Sequence, residues 1–207
     1  MIEKITTHQS EEDSRNKNIL IYVDGKIIPR EKATISVYDS GFMLGDGVWE
    51  GLRLFNGKWI FLEEHLERLF EAALAIDLDI CLDKNGVKGI LEETRAANNM
   101  HTDAHARLMI TRGKKVKPFQ HPSLSKSGPT IVIIMEHSKA VSSRPIRLST
   151  VPHVRGLPMT QDPKLKLRQR QLSRQLCMQV HSLILSENLI LDLVSLADPA
   201  HEVPLKV

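Results

Sequence analysis

The stretch "GVWEGLRLFNGKWIFLEEHLERLFEAALAI", Gly47 to Ile76, changes period in the middle, and that change decides the fold. Its first part is rich in β-formers and is broken by Asn56-Gly57, a dipeptide that tolerates the positive φ angles of a tight hairpin. From Leu62 onward the apolar positions Leu62, Leu66, Leu69, Ala73 and Ile76 recur at helical spacing, with acids at the start where a helix dipole favours them. A hairpin feeding a helix is the unit from which the rest can be read.

Upstream, "ILIYVDGKIIP" is a second predicted hairpin around Asp24-Gly25, and "VYDSGFMLGDG" reads as an irregular, glycine-rich connection. Downstream, "KNGVKGILEETRAANN" predicts another helix, and "AHARLMITRG" and "TIVIIMEHS" predict two strands flanking the polar loop Lys114 to Pro129. Residues 1–18 read as a frayed polar tail. Residues 19–138 then form an α+β domain, 139–145 ("KAVSSRP" begins the composition break) a linker, and 146–207 a smaller second unit. In that unit "IRLSTVPHV" and "NLILDLVSL" predict strands around a helix from Arg168 to Leu185.

The totals exclude several classes. The chain has 207 residues, 42% hydrophobic and 26% charged, with a net charge of +3, so a polyanion-binding role would have to rest on a local patch. The obvious patch is "QDPKLKLRQRQLSRQLC", Gln161 to Cys177, with Lys164, Lys166, Arg168, Arg170 and Arg174. It lacks the interleaved aromatics of a single-strand binder, and Leu172 and Leu176 give it an apolar stripe. Cys81 and Cys177 have no metal-ligand or disulfide-framework spacing. No apolar run approaches the ~18–20 residues of a membrane helix, and the opening is neither a signal nor a transit peptide. The expectation is a cytoplasmic protein that does not bind nucleic acid or membrane.

The ordered set "YVDGKIIPREKATISVYDSGFMLGDGVWEGLRLFNGKWIFLEEHLERL", Tyr22 to Leu69, resembles the fold-type IV pyridoxal-phosphate enzymes, the class IV aminotransferases. "RLMITRG", Arg107 to Gly113, is similar to the family strand that leads into the interdomain loop. The resemblance implies a two-domain α+β enzyme that binds pyridoxal 5'-phosphate and acts as a homodimer. It implies transfer of an amino group between an amino acid, of the branched-chain type, and a 2-oxo acid such as 2-oxoglutarate. D-amino-acid transamination and aminodeoxychorismate lyase activity are sibling alternatives.

The resemblance also assigns residues. Arg68, three positions after His65 on one helix face, matches the arginine that clamps the cofactor phosphate, a task suited to a planar, permanently charged fork. Trp49 matches a bulky pocket residue on the substrate side, and Arg53 shares its strand face. Asp46 reads as a turn former. Arg112 opens the loop that in some relatives grips the substrate carboxylate. Lys166 falls on the lysine that holds the cofactor aldehyde, and Asp198, 32 residues later, on the acid facing the pyridine nitrogen. Around Lys166 the pattern departs: Leu167, Arg168, Gln169 and Arg170 stand where the family has a hydroxyl residue and an asparagine. The chain also ends at Val207, before the family's second domain is complete. A solvated basic helix face therefore stands beside the catalytic reading of Lys166, and a truncated, non-catalytic remnant beside the enzyme.

Overall fold

The structure is a computed structural model that describes residues 13–138, all within one compact unit of the chain. The linker, the second unit, Lys166 and Asp198 lie outside the described residues.

The two dipeptide signals produce the two expected hairpins. β1 (Leu20–Val23) turns into β2 (Lys26–Pro29) through Asp24 and Gly25, at φ 47° and 82°. β3 (Gly47–Phe55) turns into β4 (Lys58–Ile60) through Asn56 and Gly57, at φ 47° and 75°. Two successive positive φ angles match the right-handed twist of the flanking strands, which is why these dipeptides serve here. β5 (Ala104–Thr111) and β6 (Thr130–His137) complete an antiparallel sheet of order β2-β1-β6-β5-β3-β4.

Alternation along β3 fixes which side is which. Val48, Glu50, Leu52 and Leu54 are buried, while Trp49, Gly51 and Arg53 face the other way and are half-buried. The register places Glu50 opposite Leu108, and Leu108 opposite Ile133, so the inward parity runs across three strands. On this face lie α2 (Leu62–Ala75) and α3 (Lys84–Ala97), contributing Leu66, Leu69, Ala72, Ala73, Val87 and Leu91 to the core. Each buried leucine contributes about 1.5–3 kcal/mol relative to exposure, so this face supplies most of the driving force. Lys84–Glu67 and Lys88–Glu63 link the two helices at the surface, where such pairs add little. Among the described residues no helix is long and apolar enough to cross a membrane.

Two expectations are corrected. Residues 13–18 belong to the fold rather than to a frayed tail. Ser14–Asn18 is a 3-10 turn, and the Asn16 side chain pairs with His137 as a strand would, donating from Nδ2 to its carbonyl (3.0 Å) and accepting from its N–H (2.7 Å). The glycine-rich connection contains a short helix, α1 (Ser40–Leu44). Asp39 caps it by accepting from Gly41 N–H at 2.8 Å, and Gly45 ends it in the left-handed region at φ 71°. Five residues are too few to display a helical period, but both caps follow ordinary preferences.

Candidate functional site

β3 delivers one charged side chain to the apolar face. Glu50 is fully buried between Val48 and Leu52, so its carboxylate needs partners from the helix packed above it. α2 supplies two. Arg68 Nε and Nη2 each donate to Glu50 at 2.7 Å, one to each oxygen, and His65 Nδ1 approaches Oε2 at 2.9 Å. A carboxylate only accepts, so Nδ1 carries the proton. The 3.2 Å approach of Arg68 Nη2 to the same nitrogen is then adjacency rather than a further bond. The helical i, i+3 spacing brings both groups over one carboxylate.

The burial is graded across this cluster. The Glu50 side chain is 0% exposed, His65 8% and Arg68 21%. Glu50 holds the guanidinium by its Nε–Nη2 edge, fixing the plane of the fork. A planar, permanently charged guanidinium fixed in this way is the type of group that binds anions such as phosphate.

Glu50 is the site residue that sequence reasoning passed over. The available signal was a carboxylate at the inward parity of an otherwise apolar strand, next to a helix offering His65 and Arg68 on one face.

Trp49 and Arg53 share a sheet face as expected, and it is the face opposite Glu50 and α2. Arg107, diagonal to Trp49 on the neighbouring strand, stands over its ring at 4.4 Å from the centroid, a cation–π arrangement. Arg53 donates to the Ser138 carbonyl, and burial lowers its pKa. The structure therefore does not bring Trp49 and Arg68 onto one side of the sheet.

Arg112 is engaged in a different way. Its Nε and Nη2 bond Asp46 at 2.8 and 3.2 Å, Nη2 also donates to Ile76 O at 2.6 Å, and Nη1 donates to Asp77 O. It ties the end of β5 to the entry of β3 and to the C-terminal end of α2. Asp46, expected only to turn the chain, is the anion of this clamp. A groove of ≈ 400 Å³ runs beside it, lined by Leu44, Gly45, Asp46, Ile76, Arg112 and Gln120 among others.

The chain has likenesses among known proteins in both sequence and fold. The chain is 39% identical over 152 residues to branched-chain-amino-acid aminotransferase-like protein 1 of Arabidopsis thaliana, covering 72% of this chain and 27% of that protein. It is 40% identical over 93 residues to a D-alanine aminotransferase of Listeria monocytogenes, covering 45% and 32%. In structure it is similar to the branched-chain aminotransferase of Thermoproteus uzoniensis solved with norvaline. That likeness has a TM-score of 0.69 and 22% identity, and covers 80% of this chain and 57% of the other. The branched-chain aminotransferase of Escherichia coli gives a TM-score of 0.52 at 18% identity, covering 66% and 50%. The chain thus spans about a quarter to a third of these curated relatives and about half of the solved ones. Residues 47–178, more than half of the chain, match the model of the amino-transferase class IV family, to which the chain belongs.

Proposed function

We propose that this chain binds pyridoxal 5'-phosphate and transfers an amino group between a branched-chain amino acid and a 2-oxo acid such as 2-oxoglutarate. The observation that carries the reading is the Glu50-held Arg68, a fixed and partly exposed guanidinium of the kind that binds a phosphate dianion. The donor set fits the cofactor, with Arg68 holding the phosphate and Glu50 and His65 orienting Arg68. When bound, the cofactor supplies an aldehyde conjugated to an electron-accepting ring, the chemistry on which transamination depends.

The remaining roles belong to this chain's own residues. Lys166 would hold the aldehyde with its amine and move the substrate's α-proton. Asp198 would keep a proton on the pyridine nitrogen. Trp49 would wall the substrate pocket. A carboxylate-gripping role for Arg112 competes with the bonds it already makes to Asp46 and the α2 carbonyls. Arg107, a cation over the Trp49 ring, would be the other candidate for that task. Residues 19–138 would serve as the small domain and 146–207 as part of a cofactor-binding domain, joined at 139–145, in a homodimer.

The test is to titrate the purified full chain with pyridoxal 5'-phosphate, follow cofactor absorbance, reduce with borohydride and map the labelled peptide. Label on the Lys166 peptide supports the reading. Saturable binding without label there removes Lys166 from its role. No binding removes the catalytic proposal and leaves a non-catalytic family scaffold. The match to D-alanine aminotransferases makes D-amino acids the competing substrates, which paired L- and D-amino-acid assays would separate.

A further inference from the structure

The loop between β5 and β6 contains a buried cation that the site does not use. Lys115 is 2% exposed, and among the described residues no carboxylate pairs with it. Its Nζ donates to the His121 carbonyl at 3.0 Å and reaches the Gln120 carbonyl at 3.5 Å. An amine removed from water is costly unless other acceptors replace the lost solvent, and here the loop's own backbone supplies them. The Oγ of Ser125, the residue opposite Lys115 in an isolated bridge, is also buried, so the loop encloses a polar interior.

The backbone of the same residue faces the other way. Lys115 N–H donates to Tyr38 O at 2.9 Å, and the adjacent Val116 N–H donates to Leu124 O at 2.9 Å. Lys114 bridges to Asp39, the residue that caps α1. One residue therefore fastens the loop to the segment entering β3 and, through its side chain, gathers the tip at Gln120 and His121. Gln120 and Pro122 form one wall of the groove beside Asp46 and Arg112.

We infer that Lys115 is a positioning residue: a tethered cation around which residues 115–125 close, setting the groove wall formed by Gln120 and Pro122. The amine, more than the bulk of the side chain, holds the loop shut. Lys115→Met fills much of the same space but turns both carbonyls toward a thioether. Lys115→Ala removes the methylenes and the amine together, leaving room for a free propylammonium ion that reproduces what was deleted.

The experiment is limited chymotrypsin digestion of the full chain, reading cleavage after Phe119 at the loop tip, with hydrogen exchange of β3 and β5 amides as the core reference. When opening is fast relative to cleavage, the rate reports the open population. Losing a hydrogen bond from a charged donor predicts cleavage about tenfold faster or more in Lys115→Met, with core exchange unchanged. Propylammonium should slow cleavage of Lys115→Ala while 1-propanol does not. Cleavage of Lys115→Met within about twofold of the parent chain would overturn the inference, since hydrogen bonds to charged groups ordinarily contribute more. Equal protection by propanol would overturn it too, by making bulk the operative property. Loss of β3 and β5 protection in both variants would equally overturn it, making Lys115 a determinant of the core rather than of the loop.

Discussion

Two arginine–carboxylate pairs meet α2, and they differ in what surrounds the guanidinium. In the middle of the helix, Arg68 gives one edge to a fully buried Glu50 and remains 21% exposed. At its end, Arg112 is 14% exposed and bonds Asp46 and the carbonyls of Ile76 and Asp77. The first pair holds an arginine in place by a carboxylate buried beneath it. The second uses an arginine to staple three backbone segments. The ion pairs are chemically alike, so an ion pair by itself does not mark a site. The distinguishing feature is the anchor: a carboxylate buried under the helix for Arg68, and a partly exposed carboxylate with two backbone carbonyls for Arg112.

The largest expected effect lies in the first pair. Glu50→Ala strips the buried anion from both His65 and Arg68, and breaking a buried pair by removing one partner costs about 3–5 kcal/mol. A urea-unfolding midpoint that falls correspondingly for the full chain would bear this out. A loss under about 1 kcal/mol would mean that water replaces the carboxylate and that Glu50 does not organise the cluster.

Next comes a crossed pair of conservative substitutions, where function and stability should separate. Arg68→Lys keeps a charge near Glu50 but loses the two-edged fork, so pyridoxal-phosphate affinity should fall at least about tenfold, or 1.4 kcal/mol. Arg112→Lys cannot reach Asp46 and two carbonyls together, so it should cost about 1–3 kcal/mol of stability while leaving cofactor affinity unchanged. Equilibrium titration and denaturation of both proteins check the cross. The reverse pattern would exchange the roles of the two arginines.

How much of this was legible in the sequence follows from the length scale of each signal. Asp24-Gly25 and Asn56-Gly57 specify their turns locally, and Leu62, Leu66 and Leu69 repeat often enough to declare a helix. That His65 and Arg68 share one helix face was legible from their spacing. Glu50 was not, because a strand of alternating character makes a single acid look outward until the opposite helix is in view. Asn16 was missed for a related reason. Its strand-like pairing with His137 joins residues 121 positions apart, and nothing in a polar segment announces such a partner. The engagement of Arg112 is also non-local, since two of its acceptors are carbonyls at the end of a helix 36 and 35 residues away.

The smallest expected effect contrasts two buried histidine nitrogens. His65 Nδ1 has Glu50 as acceptor, whereas His137 Nδ1 is buried with no partner among the described residues. Burial lowers the His137 pKa below its ordinary 6.5, the Arg15 guanidinium lowers it further, and Asp13 opposes them. A histidine whose folded pKa lies below its unfolded value is protonated more readily in the unfolded chain. Its contribution to stability is therefore complete above pH 6.5 and is lost as the pH falls below that value toward the folded pKa. His137→Gln removes the titrating ring, so stability should decline less steeply with acid than in the parent chain, and the two should run parallel above neutrality. Urea midpoints across the acid range measure that difference in slope. Parallel curves throughout would mean that His137 binds its proton equally well in both states, and that the unpartnered nitrogen costs the fold nothing that acid can reveal.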